Sequence, residues 1–433
     1  MKEKTRIFSF NFDLKKAQKL REVVNEKVNI SIEKQHELGD KHIPYMAWDR
    51  MCAIMDRLED TLLYLNSITI GNCISRRSAF DFFNFVNNEY IVIDCIKTMG
   101  KIFGVESEKF KAIESSNDVF GDVLEVGGTD DQFFKYIRSL CAVHPINTTQ
   151  KGGHPYLKDA KLHCCPFVVW ANDGVGTLWS DDRDLSVHIY VSDPEEGTIM
   201  LPLYVKQFVA YLNRWICFIP DIVNAIYNYF EMVYESHRNN ILKSMNEFCQ
   251  TIDYLEYLRS QDVIRFNSGD EYIYDQFIDI FKINLSNQEN QKKLEKYKKA
   301  ISYSLTFRHN LLQSMITEGY ESTGIIECDV NNDLFNLLYF PKYNEDDFPN
   351  CGYHFSKLSY LDGDYGFGDE QYARFLLEEI KDNLNKYVIF TNEESNKETI
   401  VLVHLALYLS ALTYDNLLNN NIPKTNDFRC IED

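Results

Sequence analysis

The chain has 433 residues, with 65 Asp and Glu against 45 Lys and Arg, and a net charge of -20. It is 45% hydrophobic and 14% aromatic, which excludes a globally disordered chain, and its length predicts about two or three packed units. A field of this sign repels nucleic acid and acidic membranes at long range, so a polyanion partner requires a local basic patch.

Ten Pro and 19 Gly are low counts that argue against a loop-rich or all-β protein. The N-terminus, Met1 to Arg6, is charged and precedes no apolar run, so no secretory signal is expected. Eleven cysteines without framework spacing fit a reducing cytoplasm.

Three helices are expected in the first 150 residues. Met46, Met51, Ile54, Met55, Leu58, Leu62 and Leu65 step by three and four, which predicts a helix over 45–65. A second runs from Ser78, with Asp81 three residues on, to Ile102, and its predicted stripe includes Phe82, Phe83, Val86, Tyr90, Ile93, Ile96 and Met99. A third starts at the capping box Thr129-Asp-Asp-Gln132 and ends at His144, because Pro145 pushes the preceding residue out of the α region.

Beyond residue 146 the pattern turns β-rich. Phe167–Trp170, Leu185–Val191 and Ile199–Val205 predict a three-stranded antiparallel meander, with turns at Asp193-Pro194 and Glu196-Gly197. Helices follow over 206–219 and 221–260, broken at Pro220, then over 287–317, near 370–386 and over 399–418. The most apolar run, Ile400 to Tyr414, holds His404, Ser410 and Thr413, and is too short and too polar to span a bilayer. No membrane partner is expected. The fold class read from these segments is mainly α. The organisation is a helical bundle over 1–150, an antiparallel β insertion over 151–205, a long-helix region over 206–319 and a mixed region over 320–433.

The chemistry concentrates at the end of the third helix. Arg138 and His144 carry the two functions that metal-free RNA cleavage uses. An imidazole moves the proton of the 2′-hydroxyl or of the leaving 5′-oxygen, and a guanidinium holds the phosphate bidentately. A histidine at a helix C-terminus has its charged form favoured by the macrodipole, which suits a general acid. On a straight helix six residues separate the two by about 240° and about 9 Å, so convergence requires a distorted last turn or a site shared by two copies. Arg183 and His188 repeat the spacing at the start of a predicted strand, and context separates the two matches.

That context resembles the HEPN superfamily, whose nuclease members carry Arg-x4–6-His at the end of a helix in an antiparallel bundle. The resemblance covers 78–145, with the helix containing Phe83 to Lys97 as the family's preceding long helix. Where many members have Asn, Asp or His after the arginine, this chain has Ser139, whose hydroxyl can donate a hydrogen bond. The resemblance implies a homodimeric endoribonuclease, a toxin or antiviral-defence effector, with Arg138, Ser139 and His144 as its catalytic set, RNA as substrate and no cofactor. The alternative is a non-catalytic helical scaffold in a regulatory or defence complex, bound to a protein partner.

Lys292, Lys293, Lys296, Lys298 and Lys299 form a basic stretch that is the candidate RNA contact. Arg308-His309-Asn310 is a further polar cluster that reads as a surface or interhelical contact. His154, His163, Cys164 and Cys165 are soft ligands, but adjacent cysteines fit tetrahedral zinc poorly and no metal is expected. The stretch 362–369 lacks the third acidic ligand and the terminal Glu of a calcium loop.

Overall fold

A computed structural model of the chain describes residues 6–27, 47–71, 78–105, 108–121, 127–149, 155–157, 162–171, 182–192, 197–266, 271–315, 334–361, 369–391 and 393–414. His154, the turns at 193–196 and most of the 362–369 loop lie outside these residues. Among the described residues the protein is mainly helical with a small antiparallel sheet. It divides into two compact units, Met1–Val28 with Lys34–Glu231, and Asn29–Glu33 with Met232–Asp433.

In the first unit, β1 (Ile7–Ser9) pairs antiparallel with β2 (Thr69–Gly71), setting Ile7 opposite Gly71. A Cβ at residue 71 would collide with the Arg6 carbonyl, so this close approach requires glycine. Between these strands come α1 (Leu14–Lys27) and α2 (Ala47–Ser67), the latter burying Met51, Ile54, Met55, Leu58, Leu62 and Leu65 as the periodicity predicts. The next helix, α3, spans Ser78–Ile102, the bounds read from the sequence. Its buried seam keeps Phe82, Val86, Ile93, Ile96 and Met99 of the expected stripe and is wider than it. Phe85, Glu89 and Val92 are buried, whereas Phe83 and Tyr90 stand at the edge of the stripe.

After α4 (Glu108–Ser115) comes α5 (Asp130–Arg138), which opens on the expected capping box. The Thr129 hydroxyl accepts from the Gln132 N–H (3.3 Å), and the Gln132 side chain accepts from the Thr129 N–H (3.0 Å). The expected three-stranded meander has a fourth, short strand. β3 (Thr148–Thr149), β4 (Leu162–Trp170), β5 (Leu185–Val191) and β6 (Thr198–Leu203) lie in sequence order, all antiparallel, with an irregularity in β4 between Cys164 and Phe167. Asp184 ties this sheet to its surroundings. Its carboxylate accepts from Arg6 (2.6 Å) and from the Val205 N–H (3.0 Å), where α6 (Val205–Ile216) begins.

Pro220 does not break a helix. It sits in the first turn of α7 (Ile219–Asn239), where a missing N–H costs nothing. The expected helix over 221–260 is instead interrupted after Asn239, and α8 (Thr251–Phe266) is separate. The reason is Arg265 of α8, fully buried, whose guanidinium donates to the carbonyls of His237 (2.9 Å) and Asn240 (2.7 Å) and satisfies the end of α7.

The second unit continues with α9 (Glu271–Lys282), α10 (Gln288–Ser314), α11 (Leu334–Tyr339), α12 (Gly352–Ser356), α13 (Glu370–Leu384) and α14 (Asn396–Tyr414). Asn287 caps α10 through the N–H groups of Glu289 (3.0 Å) and Asn290 (3.1 Å). α14 is buried as its composition predicts, with Val401 to Tyr408 inside the core. At that core's polar centre, Arg308 pairs with Asp262, which also accepts from the Tyr274 hydroxyl (2.7 Å). Among the described residues no helix is long and apolar enough to cross a membrane.

Candidate active site

α5 is anchored firmly at its start. Asp130, buried, accepts from the N–H of Phe120 (2.9 Å) and the Ser116 hydroxyl (2.8 Å). Asp131 accepts from Lys97 (2.5 Å), Lys135 (2.7 Å) and Tyr211 (3.2 Å). Burial opposes its charge, yet Lys97 and Lys135 together hold the carboxyl below its usual value.

At the other end the helix changes pitch. Ser139–Val143 is a single π-helical turn, closed by the His144 N–H donating to the Ser139 carbonyl at 2.7 Å. The last turn is therefore distorted, and turns of this kind recur at functional sites. The turn packs on α3 and on β4.

Arg138 is half-buried against α3. Its Nε donates to Asn87 (3.2 Å), and its guanidinium lies over the Tyr90 ring, 3.8 Å from the centroid. Among the described residues its two terminal nitrogens make no hydrogen bond. Ser139 is half-buried, and its N–H donates to the carbonyls of Lys135 and Tyr136. His144 is exposed. Its carbonyl accepts from the Asn147 N–H (3.0 Å) and the Thr148 hydroxyl (2.9 Å), so the chain, not the imidazole, meets the backbone's needs there. No hydrogen bond joins the side chains of Arg138 and His144 among the described residues. On either side of His144, Val143 and Ile146 are 40% and 78% exposed.

Sequence reasoning missed three residues here, Asn87, Glu89 and Tyr90. Glu89 is fully buried, and both its carboxylate oxygens lack a hydrogen-bond partner among the described residues. Burial pushes its carboxyl well above the usual range, so it is held as the neutral acid. The available signal was its place seven residues after Phe82 and seven before Ile96, on the buried face of α3.

The soft ligands near the sheet are otherwise engaged. His163 shares a 2.7 Å hydrogen bond with the Tyr136 hydroxyl, and burial lowers its pKa. The Cys141 thiol meets Cys165, and that hydrogen bond together with burial pushes it well up. Cys164 lies against the Ile146 carbonyl (3.2 Å). Among the described residues no three His, Cys, Asp or Glu side chains are grouped to hold a metal ion. The chance match lies apart. Arg183 is buried and donates to Ser186 (3.3 Å), and the His188 ring packs 4.3 Å from that of Phe167.

The five lysines of α10 divide by the helix face they occupy. Lys292, Lys296 and Lys299 are exposed. Lys293 pairs with Glu289 (2.7 Å) and donates to the Tyr387 carbonyl (2.9 Å). Lys298 is buried and donates to the Ile283 carbonyl (3.0 Å), satisfying the C-terminal end of α9. Compared with protein families, curated proteins and solved structures, the chain finds no match in any of the three.

Proposed function

We propose that the first unit is a metal-independent endoribonuclease of the HEPN type, acting as a homodimer, with Arg138 and His144 as its reacting pair. The observation that carries this reading is the way Arg138 is held. Asn87 takes its Nε and Tyr90 its face, which fixes the plane of the guanidinium and leaves the two terminal N–H pairs for a phosphate. In the reaction the 2′-oxygen attacks phosphorus and the bond to the 5′-oxygen breaks, giving a 2′,3′-cyclic phosphate and a 5′-hydroxyl. Arg138 stabilises charge on the non-bridging oxygens. His144, exposed and unencumbered by backbone duties, takes the 2′-hydroxyl proton or gives one to the leaving oxygen. Apolar Val143 and Ile146 beside it support a second copy as the cover of this surface. Of the five lysines of α10, Lys292, Lys296 and Lys299 are exposed and available for RNA.

The test is cleavage of single-stranded RNA in EDTA. Wild-type protein should cleave, Arg138→Ala and His144→Ala should each lose about a hundredfold or more, and His188→Ala should retain activity. Full activity in His144→Ala, or strict dependence on a divalent cation, overturns the assignment. A second reading, a non-catalytic scaffold for a regulatory or defence complex, is favoured by the net charge of -20, and a folded wild-type dimer that cleaves no RNA would select it.

A further inference from the structure

The second unit contains a cavity of about 700 Å³ that the cleavage chemistry does not use. One wall is α9, with Tyr272 and Gln276. The facing wall is α14, with Lys397 and His404 two turns apart.

The lining is unusual in three respects. First, two of its large rings are not tucked into the core, since Tyr272 and Phe340 are each 47% exposed. Tyr272 meets Tyr339 edge-on at 5.3 Å, which fixes its ring as a flat surface at the cavity wall. Second, polar atoms are left over. The Gln276 side-chain Nε2 and the His404 Nδ1 are shut from water without a hydrogen-bond partner among the described residues, which is rare for buried polar groups. His404 is only 7% exposed, and burial lowers its pKa to about 4, so it presents a neutral imidazole. Third, two of the three cations at the rim are already engaged, Lys282 being the other. Arg259 pairs with Asp275 (2.9 Å) and Lys397 with Asp279 (3.0 Å).

Flat rings and a carboxamide whose N–H group is unpaired select a planar heteroaromatic with donor and acceptor on one edge. We propose that this cavity binds a nucleobase, with Gln276 reading its hydrogen-bonding edge and Tyr272 stacking on its face. A carboxamide matches the N6/N7 edge of adenine in both polarity and spacing. The terminal torsion of glutamine is broad, so a small rotation brings the sealed amide into the cavity. The base arrives either as a free nucleoside or as an unstacked base of single-stranded RNA. Neither source depends on Arg138 or His144, so this site stands or falls apart from the cleavage reading.

Calorimetric titration of the full chain with adenosine and with the tetranucleotide rA4 tests it. Saturable binding should be weakened about tenfold or more by Gln276→Leu and, separately, by Tyr272→Ala, with thermal melting confirming that both variants fold. Binding of adenosine identifies the free nucleoside as the source, and binding of rA4 alone identifies a strand base. Binding of neither probe to wild type, or affinity unchanged in Gln276→Leu, overturns the proposal.

Discussion

The guanidinium of Arg138 lies 3.8 Å from the centroid of the Tyr90 ring, forty-eight residues earlier in the chain and on another helix. A cation over an aromatic face is attracted by the ring quadrupole, by about 1–2 kcal/mol when partly desolvated. The ring therefore holds the arginine in place without consuming any of its N–H groups. Tyr90→Ala should lower the single-turnover rate of RNA cleavage about tenfold, whereas Tyr90→Phe, which keeps the ring, should remain near wild type. Equal loss in both variants would mean that the phenol matters and not the face.

Dimerisation is checked by sedimentation. The protein should be a dimer at micromolar concentration, and Ile146→Glu, at a side chain 78% exposed, should yield a monomer with unchanged helicity and no cleavage. A monomeric wild type would remove the shared site.

Glu89 gives a pH signature. Its folded-state pKa is raised above the unfolded value, so its contribution to stability is complete below the ordinary carboxylate pKa of 4.5 and is lost as pH rises through the folded value. The stability of Glu89→Gln relative to wild type should therefore increase from pH 4.5 towards neutrality, measured by urea denaturation across that range. A flat difference would show that Glu89 has an ionic partner.

His404 should act in the opposite direction. Its pKa falls from 6.5 to about 4 on folding, so the stability it contributes is present above pH 6.5 and is lost as the solution is acidified through that window. The loss is roughly 3 kcal/mol between those limits. His404→Phe should flatten this part of the stability profile, and an unchanged slope would contradict the buried neutral imidazole.

The Asp262–Arg308 pair predicts a non-additive result. Arg308→Met leaves a carboxylate buried without its cation and should cost about 3–5 kcal/mol. Adding Asp262→Leu should recover most of that loss, because a buried pair replaced by apolar side chains is close to neutral. Simple addition of the two single costs would refute the coupling.

Much of the local structure was legible because its causes are local. Thr129 and Gln132 are three residues apart, and the box they form depends on nothing else. Ser78 to Ile102 carries its own periodicity. The missed features depend on distant partners. Asn87 looks like an ordinary surface residue of α3, and Tyr90 like one more member of its apolar stripe, until Arg138 arrives from another helix. Lys298 belongs, by sequence, to a basic run, and only the carbonyl end of α9 explains its burial. Glu89 misleads in the other direction, because residue type outweighs position when a stripe is read, and the structure keeps it inside as a neutral acid. The gap after Asn239 likewise depends on Arg265 of the following helix.

The turn Ser139–Val143 places one residue more in its circuit than an α-helix would. Removing Ala142 from it would shorten the circuit to that of an α-helix, leave the hydrophobic inventory almost unchanged and swing residue 144 by about 100°. The orientation of the imidazole is thus set by chain length, not by any neighbouring side chain. On the cleavage reading proposed above, a one-codon deletion here acts as a genetic off-switch.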